Sequence, residues 1–97
     1  MGKHMLANKE PIEDFEQNEE AQTARLLSSL ARELGIYLIG GSIPEAIPGE
    51  NKVYNTCLCF DREGKIQARH RKQHLFDINI PGKIQFFESD FMRKGEP

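Results

Sequence analysis

Arg69, His70, Arg71, Lys72 and His74 crowd into the stretch RHRKQHLFD, residues 69–77, and Leu75 and Phe76 follow directly behind them. Three kinds of chemistry draw on such a set. A metal site would join His70 and His74 to Cys57 and Cys59, with ten residues between the two pairs. Zinc fingers use C-x(2–4)-C, about twelve residues, then H-x(3–5)-H, so one residue between the cysteines is too few. The helix that fingers place under their histidines is also missing, because ARHRKQH follows a turn in strand rhythm. Two small buried cysteines and two unrelated histidines are the simpler reading, and a small zinc-stabilised module on those four residues is the alternative.

Nucleic acid would use the basic stripe of Arg62, Lys65, Arg69 and Arg71. No aromatic residue is interleaved with it and the net charge is −2, so a solvated strand face accounts for it better. The third chemistry rests on Lys72. Strand alternation sets Ile66, Ala68, His70 and Lys72 on one inward face and Gln67, Arg69 and Arg71 on the outward one. An inward lysine at a strand end needs a carboxylate partner or developing negative charge to stabilise. Glu45, Asp77, Glu88 and Asp90 are the candidate partners. On spacing alone, a lysine that snorkels to solvent is the simpler assignment.

The elements that must position these groups read as α/β. From Asp14 to Leu34 the pattern is helical: Ala24, Leu27, Ala31 and Leu34 form a stripe that Leu30 widens. The acidic residues gather at its start and Gly35 stops it. IYLIGGSI, 36–43, follows as a strand covered on both faces, and PEAIPGEN is a loop. VYNTCLCFD, 53–61, alternates as a second strand, with Val53, Asn55, Cys57 and Cys59 opposite Tyr54, Thr56, Leu58 and Phe60. DREGK makes a hairpin turn with Gly64 at its tip, and IQARHRK returns as a third strand. DINIPGK then reads as a turn-rich loop, and IQFFESDF as a short strand or irregular segment. One long helix and three or four strands resemble an excerpt from a sandwich, since the second face of IYLI has no partner in the chain.

Ninety-seven residues make one small domain or a piece of a larger one, and residues 1–13 read as a tag-like or disordered lead. No apolar run approaches the length of a membrane span. Cys57 and Cys59 sit side by side on one strand face, a poor disulfide pair, which points to a reducing, cytoplasmic setting.

GGSIPE (40–45), VYNTC (53–57), RKQHLFDINIPGK (71–83) and FESD (87–90) resemble consecutive blocks of the nitrilase superfamily, the carbon–nitrogen hydrolases. Residues 14–97 are similar to part of that domain, and HLFDINIPGK most resembles its omega-amidase branch. The resemblance implies an αββα sandwich, a homo-oligomer, no cofactor, and a small-molecule amide substrate such as α-ketoglutaramate. It implies a Glu–Lys–Cys thioester mechanism with Lys72 as the oxyanion lysine and Glu88 as the accessory glutamate. Neither Cys57 nor Cys59 matches the nucleophile. That cysteine and the general-base glutamate are expected outside residues 1–97, and the isolated chain is expected to be inactive.

Overall fold

The long helix expected from Asp14 starts later. Phe15–Gln17 form a single 3-10 turn, and helix α1 spans Gln22–Leu34 with Gly35 as its C-terminal cap. Asn18 separates the two, because its side-chain oxygen accepts the backbone N–H of Glu20 at 2.9 Å, a local bond that competes with helical pairing. The acidic residues therefore precede the helix, and no acid lies in its first turn. The N-terminal residue Ala21 cannot cap. Glu10 does so from a distance, its Oε1 accepting the N–H of Thr23 at 2.9 Å and of Ala24 at 3.2 Å. A carboxylate there satisfies two unpaired donors at the positive end of the helix dipole.

The computed structural model describes residues 6–75, 77–82 and 84–96, the side chains of 78–80, 84–86 and 88 excepted. The expected lead over 1–13 is corrected at its end. The Glu10 N–H donates to the Pro44 carbonyl at 2.7 Å, and the Ala46 N–H donates to the Glu10 carbonyl at 2.6 Å. Ile12 is 1% exposed, and Phe15 meets the Phe60 ring edge-on at 5.9 Å. Apolar burial and backbone pairing thus draw this segment into the fold.

Strands β1 (Leu38–Ala46), β2 (Val53–Phe60) and β3 (Ile66–Arg71) form an antiparallel sheet in that order. Pairing with Glu10 carries β1 through Pro44–Ala46, where a loop was expected. A second hairpin joins β4 (Asp77–Ile80), where a turn-rich loop was expected, to β5 (Ile84–Phe87), the short strand that was one of the two readings of IQFFESDF. Each of its strands has four residues, too few for a convincing alternation, although Pro81 and Gly82 between them are turn residues.

Ile43, Leu58 and Phe60 pack under α1 with Ile12, Phe15, Ala24 and Ala31. The opposite sheet face carries Ile39, 74% exposed, so among the described residues β1 is covered on one side only. The stripe of α1 is also turned from its expected position. Leu30 and Leu34 stay exposed while Ser28 is buried, its hydroxyl donating to the Gly64 carbonyl at 2.5 Å. A smaller cluster joins Val53 to Phe91 and Met92. Among the described residues no helix is long and apolar enough to cross a membrane.

The hairpin tip tests the contact between helix and sheet. Gly64 has φ +82°, and a Cβ on it would lie 2.6 Å from the Ser28 carbonyl oxygen. Gly64→Ala is expected to destabilise the chain by about 1–3 kcal/mol, read as a lower urea midpoint with an unchanged m value. An unchanged midpoint would contradict the close approach.

Candidate active site

Lys72 is the first residue past β3, and its backbone is held on both sides. Its N–H donates to the Asn55 carbonyl at 2.8 Å, and its carbonyl accepts the Gly95 N–H at 3.0 Å. Gly95 lies so close that a Cβ on it would collide with the Arg71 carbonyl oxygen. Lys72 is half-buried. The ladder pairs Thr56 with Arg71 and Cys57 with His70, and the bond to Asn55 continues it by one step. Alternation then sets Lys72 on the face of Cys57 and His70, away from α1.

Arg71 belongs to the other face, where it is half-buried. Its Nε donates to Glu45 Oε1 at 2.9 Å and its Nη2 to Oε2 at 2.8 Å. The Thr56 hydroxyl donates to the same Oε1 at 2.7 Å. Arg69 adds a longer approach to Oε2 at 3.9 Å and pairs with Glu13 at 3.1 Å. The guanidinium carbon of Arg71 stands 4.3 Å from the centre of the Tyr54 ring. The expectation of a solvated stripe is corrected at Arg71, which is half-buried against Glu45; Arg69 stays exposed and pairs with Glu13.

Glu45 is 2% exposed. Burial is the largest influence on its carboxyl and pushes the pKa up. Hydrogen bonds from Arg71 and Thr56, with the charges of Arg71 and Arg69, outweigh it, so the net direction is down. Glu45 in turn raises the pKa of the Arg71 guanidinium through the shared hydrogen bonds. Of the carboxylates considered for Lys72, Glu45 is thus committed to Arg71 and Thr56. Asp77 accepts the N–H of Ser89 at 3.1 Å and its hydroxyl at 2.9 Å. Those two bonds tie β4 to the 3-10 turn Glu88–Asp90. The Glu88 side chain lies outside the described residues.

Cys57 and Cys59 are free thiols, and Cys57 Sγ donates to the Gly40 carbonyl at 3.1 Å. Among the described residues no group of three His, Cys, Asp or Glu side chains could hold a metal ion. The zinc alternative on Cys57, Cys59, His70 and His74 therefore finds no support. Cys57 does face His70 across the ladder, but Cys59 faces Ala68.

A family model described as "Carbon-nitrogen hydrolase" matches residues 2–97. The chain belongs to the carbon–nitrogen hydrolase family. It is 48% identical over 83 residues to an omega-amidase of Xenopus laevis, a match that covers 86% of this chain and 29% of that protein. Nitrilase homolog 2 of Dictyostelium discoideum is 43% identical over 85 residues, 88% of this chain and 26% of its own length. The chain thus spans less than a third of the curated relatives it matches. In structure it resembles the Saccharomyces cerevisiae member of branch 10 of the nitrilase superfamily. The TM-score is 0.75 and the identity 31%, over 100% of this chain and 31% of that one. The nitrilase-type α/β layer expected from the sequence blocks is the fold found.

Sequence reasoning missed the union of Glu45, Thr56 and Arg71. Its one trace in the sequence is Glu45 at an inward position of a strand otherwise lined by apolar groups, and a buried carboxylate demands a cation. The partner could not be chosen, since Arg69, Arg71 and Lys72 all follow on one strand.

The lowered pKa sets the sign of an acid effect. A carboxylate held below its ordinary value of 4.5 contributes stability above that value and loses it as pH falls through the folded-state value. The chain is expected to lose stability in that acid range, and Glu45→Gln to be less stable at neutral pH but flatter with pH. Parallel acid dependence of the two proteins in urea unfolding would contradict the assignment.

Proposed function

We propose that residues 14–97 are the part of an omega-amidase-like carbon–nitrogen hydrolase that supplies the oxyanion lysine, Lys72, and the accessory glutamate, Glu88. The observation that carries this reading is the block RKQHLFDINIPGK in a chain 48% identical to an omega-amidase over 83 residues. The substrate class is the terminal amide of small keto acid amides. A half-buried lysine whose backbone is tethered at both sides suits the role, because a fixed donor aimed at a forming oxyanion needs little reorganisation.

The reaction follows from those parts. A cysteine thiolate adds to the amide carbon, and the carbonyl oxygen takes up the negative charge beside the Lys72 ammonium. A glutamate general base passes the thiol proton to the amide nitrogen. The tetrahedral intermediate collapses, expels ammonia and leaves a thioester. Water activated by the same glutamate adds to the thioester and releases the acid and the thiol. Neither cysteine of residues 1–97 stands in the nucleophile block, so the isolated chain does not turn over. The same reading carries a cytoplasmic setting and assembly into homo-oligomers.

Grafting tests this. Residues 15–97 replace the matching segment of the full-length Xenopus laevis omega-amidase, and ammonia release from α-ketoglutaramate is measured. The grafted enzyme is expected to be active, Lys72→Met to lower kcat by about 100- to 1,000-fold, and the 97-residue chain to release nothing. Lys72-dependent turnover by the chain alone, or full kcat in the Lys72→Met graft, would overturn the proposal.

A further inference from the structure

β3 has little hydrophobic reason to keep one register. Gln67, Ala68, Arg69 and His70 are exposed, and only Ile66 and Arg71 at its two ends are half-buried. An irregularity between Cys59 and Phe60 already shifts its first pair. A strand without a buried face slips readily, and a slip of one residue moves every side chain to the opposite face. At the far end of β3 that slip has a chemical consequence. Arg71 and Lys72 are neighbours in sequence, and a slip would exchange them: lysine toward Glu45, arginine toward the other face.

We propose that Glu45, with Thr56 and Arg71, sets the register of β3 and so decides which of the two adjacent cations is presented on the face away from α1. One carboxylate joins all three strands, because Glu45 lies on β1, Thr56 on β2 and Arg71 on β3. The joint discriminates between the cations. Two parallel N–H donors at 2.9 and 2.8 Å match the two carboxylate oxygens. A lysine ammonium is a point charge that cannot form that fork. The Thr56 hydroxyl at 2.7 Å holds Oε1, so the carboxylate does not turn to follow a displaced partner. The Tyr54 ring offers the planar guanidinium a stacking surface at 4.3 Å.

The catalytic consequence rests on the proposed role of Lys72. On that reading Glu45 and Arg71 are positioning residues: they touch no substrate, and they set the face from which the lysine acts. The register itself is a property of the sheet and is measured without turnover.

Nuclear Overhauser contacts across β2 and β3, recorded on the isotope-labelled 97-residue chain, test the inference. The native chain is expected to show Thr56 opposite Arg71 alone. Arg71→Lys is expected to add a second set of contacts, with Lys72 opposite Thr56, at a population of about 10% or more. Glu45→Gln, which keeps the side-chain volume and loses the charge, serves as the second variant and is expected to show the same second set. A single native register in both variants overturns the inference even if both melt earlier, because a merely stabilising ion pair would do that. Complete unfolding of both variants beside a folded native chain overturns it too. Lys72→Met in the grafted omega-amidase reports on the functional reading alone, so either claim can fall while the other stands.

Discussion

A carboxylate almost fully withdrawn from water is the constraint on which the rest of this structure depends. Leaving Glu45 ionised and unpaired in that position would cost several kcal/mol. It is 2% exposed, yet it is held by two N–H donors of Arg71 and by the Thr56 hydroxyl. Such a buried pair adds little net stability over a well-packed apolar one, but breaking it is expensive. Its value here is geometric. The same three hydrogen bonds connect the three strands of the sheet.

That joint divides the two faces of the sheet into different tasks. Toward α1 lie Ile43, Leu58 and Phe60, and at the strand ends the charges of Glu13, Glu45, Arg69 and Arg71 close on one another. The segment Glu10–Phe15 completes this side, capping the helix with one carboxylate and filling the core with Ile12 and Phe15. Toward the other side lie Ile39, Cys57, Cys59, Ala68 and His70, linked by the ladder. Lys72 belongs to that second side, just past the last β3 pair.

Much of this was legible in the residues. The alternation of Val53–Phe60 sorted its two faces as the structure has them, because a half-buried strand must repeat every second residue. Gly35 and Gly64 marked a helix end and a hairpin tip. The role proposed for Lys72 rests on a linked set of blocks, since its own spacing favoured a solvated side chain. What failed was long-range. Glu10 caps α1 from thirteen residues before Thr23, and no local pattern announces such a cap. Arg69 and Arg71 looked like an outward stripe because charge usually means solvent, whereas here it answers two glutamates from other elements. Leu30 and Leu34 looked like core because apolar spacing cannot say which part of a wide stripe a particular sheet will cover.

The central claim is that Glu45 and Arg71 act as one unit. A double-mutant cycle with Glu45→Gln, Arg71→Met and the pair, read by urea unfolding at neutral pH, measures their coupling directly. The predicted coupling energy is about 1–3 kcal/mol, with the double variant well short of the summed losses. Additivity within about 0.5 kcal/mol would contradict it.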